Sequence, residues 1–141
     1  MLGAMRALLL ILGLSAVLLA TPAPADEEPV SPAEFEDYAE GYTLYFEEEG
    51  EPFGSEVFEP DGETLWRYQD GSCMRGVWKA HDGQLCFYYG VGAEVICWEI
   101  LRDEQGLFVR LLGESEDAGM ELRITRRDKE RPVCGDPGRG T

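Results

Sequence analysis

Beyond Gly41 this chain cannot run far in one direction, and that restricts its fold more than any other feature. Turn-forming groups interrupt it at Glu48-Glu49-Gly50-Glu51-Pro52, Pro60-Asp61-Gly62, Asp70-Gly71, Asp82-Gly83, Gly90-Val91-Gly92, Gln105-Gly106 and Ala118-Gly119. Between them apolar and polar residues alternate, as in Tyr42, Leu44 and Phe46 against Thr43, Tyr45 and Glu47. The resulting segments are a strand at 42–47, a weak one at 56–59, then 64–68, 77–80, 85–89, 95–101, 107–112 and 120–125. Short strands divided by glycine turns predict an all-β antiparallel up-and-down meander of seven or eight strands, curled into a small barrel or half-barrel. On this reading the glycines serve turns.

A short helix precedes the meander. Ser31 can cap it, Pro32 suits the first helical position, and Glu34 sits where a capping box needs it. Phe35, Tyr38 and Ala39 share one face, and Gly41 stops the helix.

The first 25 residues have the form of a cleavable secretion signal. Arg6 closes a short basic region, residues 7–20 are uncharged and mostly apolar, and Ala23-Pro24-Ala25 places small residues at the processing positions. Cleavage is expected after Ala25, with Ala20 as the alternative. The apolar run falls short of the roughly 18–20 residues that span a bilayer, so no membrane attachment is expected after cleavage. The expected organisation is a signal at 1–25, a disordered acidic N-terminus at 26–30, one disulfide-bonded domain at 31–134 and a flexible tail at 135–141. The expected location is the periplasm or the exterior.

Composition limits the partners. The chain has 28 acidic and 12 basic residues, a formal net charge of −16. Losing Arg6 with the signal lowers this to about −17. Such a body repels nucleic acid and anionic lipid, so any charge-guided partner is basic or a cation.

All four cysteines lie beyond the signal, which for an exported chain implies two disulfides. If the hairpin turns at Val91-Gly92, Leu85 faces Trp98, Phe87 faces Ile96, and Cys86 falls opposite Cys97. Opposed cysteines of a non-hydrogen-bonded pair can be bridged. This register predicts Cys86–Cys97, leaving Cys73 with Cys134. It also puts Leu85, Phe87, Ile96, Trp98 and Ile100 on one core stripe and Tyr88 on the opposite face.

Catalytic signals are weak. His81, the single histidine, falls in a turn, the cysteines are oxidised, and no serine sits in a Gly-x-Ser-x-Gly elbow. No carboxylate stands out from the surface population. The acidic run Glu47-Glu48-Glu49-Gly50-Glu51 lacks the alternating ligands of a calcium loop. The expectation is therefore no catalytic residue, no metal and no cofactor. The many aromatic residues suit a core or a binding surface, and Tyr88 and Trp78 are the candidate contact residues.

The pattern Asp70-Gly71-Ser72-Cys73, Gly76-Val77-Trp78, Leu85-Cys86-Phe87-Tyr88 and Cys97-Trp98 resembles a group of small exported Gram-negative proteins with no assigned activity. The resemblance covers about half of the chain beyond the signal. It implies a periplasmic, distantly lipocalin-like meander and transfers no catalytic residues. Three functions are ranked, in descending order, beside a structural or envelope role with no small ligand, which stays open. The first is a non-catalytic binding domain for an apolar or amphipathic small ligand, which requires a cavity. The second is an acidic protein-binding module, such as an inhibitor of a basic envelope hydrolase. The third is a carboxylate-dependent hydrolase.

Overall fold

The computed structural model describes residues 26–135. The expected signal and nearly all of the expected tail lie outside them. Among the described residues, eight antiparallel strands close into an up-and-down barrel: β2 (Thr43–Glu48), β3 (Glu51–Phe58), β4 (Glu63–Tyr68), β5 (Cys73–His81), β6 (Gln84–Tyr88), β7 (Ile96–Asp103), β8 (Gly106–Leu111) and β9 (Glu121–Asp128). Each pairs with its sequence neighbour, β8 with β9 even across the longer 112–120 connection, and closure comes from β9 against β2. A barrel of eight strands leaves an interior just wide enough for side chains or one small ligand.

Two further elements precede the barrel, β1 (Glu28–Pro29) and α1 (Pro32–Ala39). Residues 26–30, expected to be disordered, instead carry β1, which pairs Glu28 and Pro29 with Arg102 and Leu101 of β7. The reason lies in β6. It is short and reaches only as far as the Leu85–Trp98 pair, so part of that edge of β7 lacks a barrel partner. β1 and the Val30 N–H bond to the Ile100 carbonyl (2.9 Å) satisfy it, and Val30 is buried.

The α1 helix begins as the sequence indicates, with Ser31 Oγ accepting from the Glu34 N–H at 3.2 Å. The reciprocal arm of a capping box is replaced: Glu34 Oε1 instead accepts from Arg102 at 2.7 Å and ties α1 to β7. Its buried Phe35 and Ala39 close one end of the barrel. Phe58 forms the centre of that floor, meeting Phe35, Trp78 and Phe87 edge-on with centroids 5.5, 5.7 and 6.2 Å apart.

The weak strand expected at 56–59 is the end of the longer β3, because the Glu49-Gly50 turn is tight. Glu49 and Gly50 both take positive φ, +50° and +87°. Two glycines do not serve turns. Gly54 and Gly76 lie within β3 and β5, where a side chain would collide with neighbours inside the barrel. A Cβ at Gly54 would stand 2.3 Å from Trp66 Cζ2, and one at Gly76 would stand 2.6 Å from Tyr89 Cδ1.

The disulfides are Cys86–Cys97 and Cys73–Cys134. The first joins directly opposed residues with Cα atoms 4.0 Å apart, in the register read from the hairpin. The second holds a strap, residues 129–135, along the outer side of β2–β4. Thr43 Oγ1 donates to the Glu130 carbonyl (2.6 Å), Arg67 Nε to that of Val133 (3.1 Å), and the Gly135 N–H to that of Gly71 (2.8 Å).

Candidate functional site

Alternation along the strands turns one row of each strand inward. On β3 that row is Gly54, Glu56 and Phe58; on β4 it is Thr64, Trp66 and Tyr68; on β5, Met74, Gly76 and Trp78. The inward rows do not fill the barrel. A cavity of about 260 Å³ rises from Phe35, Phe58 and Leu85 at the floor. It continues past Phe46, Trp66, Phe87 and Val109 towards Tyr68, Ile96, Met120 and the exposed Asp117. That upper end is the mouth, where the connections β2–β3, β4–β5, β6–β7 and β8–β9 gather. Tyr68, 41% exposed, stands at its edge.

Inside this largely apolar wall sits one carboxyl group. Glu56 is 4% exposed, and its cross-strand neighbours are Leu44 and Trp66. Thr64 Oγ1 and the Tyr89 hydroxyl both donate to its Oε1, at 2.6 and 2.7 Å. Among the described residues no hydrogen bond reaches Oε2, and Glu56 lines the cavity. The only fully buried side-chain polar atom without a partner among the described residues is Trp78 Nε1, so Oε2 is not fully enclosed.

Tyr89 reaches Glu56 because Gly76 has no side chain. The Tyr89 ring takes that space and stacks on Phe87, with centroids 6.0 Å apart and planes 9° from parallel. Burial raises the Glu56 carboxyl to about 7, with the Thr64 and Tyr89 hydrogen bonds pulling the other way. Burial, and then the charge of Glu56, push the Tyr89 phenol up, so it remains a donor. The site thus presents a carboxyl poised near neutrality, aimed into a small aromatic chamber.

The two candidate contact residues occupy other places. Tyr88 points outward from β6, 38% exposed, paired with the exposed Val77 beside the Cys86–Cys97 bridge. Trp78 is only 7% exposed and packs on Phe58 beneath the cavity, so it offers no outer surface. His81 ends β5 on the exterior, 3.2 Å from Asp82. Among the described residues no group of three His, Cys, Asp or Glu side chains is placed to hold a metal ion, and no helix is long and apolar enough to cross a membrane.

Reading every carboxylate as surface charge missed Glu56. The signal was present in the next hairpin: turning β3 into β4 at Pro60-Asp61-Gly62 sets Glu56 opposite Trp66. A tryptophan assigned to the core would have carried its partner inward. No family model, no curated protein and no solved structure matches this chain.

Proposed function

We propose that this chain is a non-catalytic, extracytoplasmic binding domain that takes a small amphipathic ligand into its barrel. One observation carries the reading: a cavity of about 260 Å³ whose apolar wall holds a buried carboxyl, Glu56, hydrogen-bonded among the described residues through one oxygen only. Apolar pockets with a few convergent polar groups are the usual form of small-molecule sites, commonly of roughly 300–1,000 Å³, so this one suits a compact ligand. The two disulfides favour an oxidising compartment, consistent with the secretion signal read at residues 1–25. The likeness to small exported Gram-negative proteins supports the periplasm as that compartment.

The test is native mass spectrometry of protein exported to a bacterial periplasm, followed by an NMR titration with the neutral probe indole and with small aromatic amines. A retained small mass, or shifts concentrated at Trp66, Phe87 and Leu122, is the expected result. A bare protein whose cavity resonances respond to no probe would overturn the reading.

A protein-binding role is a second reading, favoured by the exposed Tyr88–Val77 pair next to a rigid disulfide. It expects salt-sensitive retention of a basic envelope hydrolase, lost on Tyr88→Ala. Retention unaffected by that change would remove it.

A further inference from the structure

We propose that the ligand is an organic cation: a protonated primary amine on a compact aromatic or aliphatic body, with its ammonium seated on Glu56. This rests on the cavity being a binding site and names what the site selects. Three independent features lead to it.

The first is the lining. Among the described residues the cavity is lined by two acids, Glu56 and Asp117, and by no Lys, Arg or His. An anionic ligand would meet a like charge with nothing to offset it, whereas an ammonium supplies the hydrogen-bond donor that Glu56 Oε2 lacks. The second is the aromatic wall. Phe46, Trp66, Phe87 and Tyr89 line the same cavity as Glu56, and aromatic faces attract a cation that has left water.

The third is the mouth. Its four connections, residues 49–50, 69–72, 89–95 and 112–120, contain Glu49, Asp70, Glu94, Glu114, Glu116 and Asp117 and not one basic residue. Arg67 reaches this rim from β4, beside Asp70, so the rim is acidic on balance rather than of one sign. An acidic rim concentrates cations and speeds their entry. Arg126 and Arg127 lie over Tyr45 and Tyr42 on the outside, 3.8 and 4.2 Å from the ring centroids.

The groups facing Glu56 are Thr64, which does not titrate, and Tyr89, which stays protonated. Binding of an ammonium therefore requires Glu56 itself to be ionised. Since the empty site holds its proton up to about pH 7, amine binding below that pH releases a proton to solvent.

The experiment compares phenethylamine with its neutral isostere phenethyl alcohol, followed by the NMR resonances of the cavity and by calorimetry in two buffers of different ionisation enthalpy. The amine is expected to bind roughly ten- to a hundredfold more tightly at pH 8, the worth of one charge-assisted hydrogen bond. That preference should shrink about tenfold per pH unit below 7, with proton release visible at pH 6. Glu56→Gln should abolish the preference, so that amine and alcohol bind alike at every pH, in a variant that loses no charged group below pH 7. Equal or tighter binding of the alcohol, or a preference that survives Glu56→Gln, would overturn the cation while leaving the cavity reading intact. Silence of the cavity towards both probes would instead remove the binding site itself.

Discussion

At the scale of single residues, the molecule accepts a cost at Glu56. An ordinary carboxyl loses its proton near 4.5, but burial holds this one to about 7. The folded state therefore binds the proton more tightly than the unfolded state does. The group's contribution to stability is fully present below about pH 4.5, declines between 4.5 and 7, and above 7 leaves the fold weaker by on the order of 3 kcal/mol. Glu56→Gln should accordingly raise the urea-unfolding free energy by about 3 kcal/mol at pH 8 and change it little at pH 4. A gain of equal size at both pH values would show that the carboxyl does not titrate within the barrel. Gly76 is the complementary case. Gly76→Ala would drive a methyl into the Tyr89 ring and the Tyr88 carbonyl, 2.6 and 2.7 Å from the new Cβ. It should cost about 1–3 kcal/mol and release Tyr89 from Glu56, read as lost stability and a shifted Tyr89 ring resonance. Neither residue is conspicuous in the sequence. Gly76 looks like another turn glycine, and Glu56 is one acid among 28.

At the scale of elements, the helix and the first strand act as the closure of the barrel. Phe35 is the largest buried side chain of α1 and part of the cavity floor. Phe35→Ala should cost about 3–5 kcal/mol in thermal or denaturant unfolding and enlarge the cavity downward. Removing residues 26–30 should expose the β7 edge beyond β6, which hydrogen exchange would detect as faster exchange in β7 with β3–β5 unchanged. The helix was legible from Ser31, Pro32 and the Phe35–Ala39 spacing, since capping and periodicity are local. Strand β1 was not, because one acidic residue and a proline pair only when a neighbour stops short. The β6–β7 hairpin was legible to the residue, because opposed cysteines mark the register as no surface residue can. The outer Val57, adjacent to Phe58, blurred the alternation of β3. It is buried on the strapped side of the barrel, so both faces of β3 are apolar there and period two fails.

At the scale of the whole molecule, the two bridges differ in reach. Cys73–Cys134 spans 61 positions and Cys86–Cys97 spans 11. Loop-closure entropy assigns them about 4 and about 3 kcal/mol. Replacing Cys73 and Cys134 with serine should lower Tm by more than replacing Cys86 and Cys97, and should also free the strap over β2–β4. Limited proteolysis would then cut near residues 129–135 first in the former variant. Comparable loss from both variants, with an uncut strap, would mean that packing and the Thr43 and Arg67 hydrogen bonds hold the strap without the disulfide.

What the amino-acid order settles by itself is local: where turns fall, which strands pair with their neighbours, how one helix starts, and which cysteines face each other. These depend on residues a few positions apart, whose geometry period-two alternation and turn chemistry dictate. Closure of β9 onto β2, the rescue of the β7 edge by β1, and the burial of one carboxyl against Thr64 and Tyr89 join residues tens of positions apart. No local pattern encodes them, because each exists only once the barrel has closed and water has been excluded from its interior.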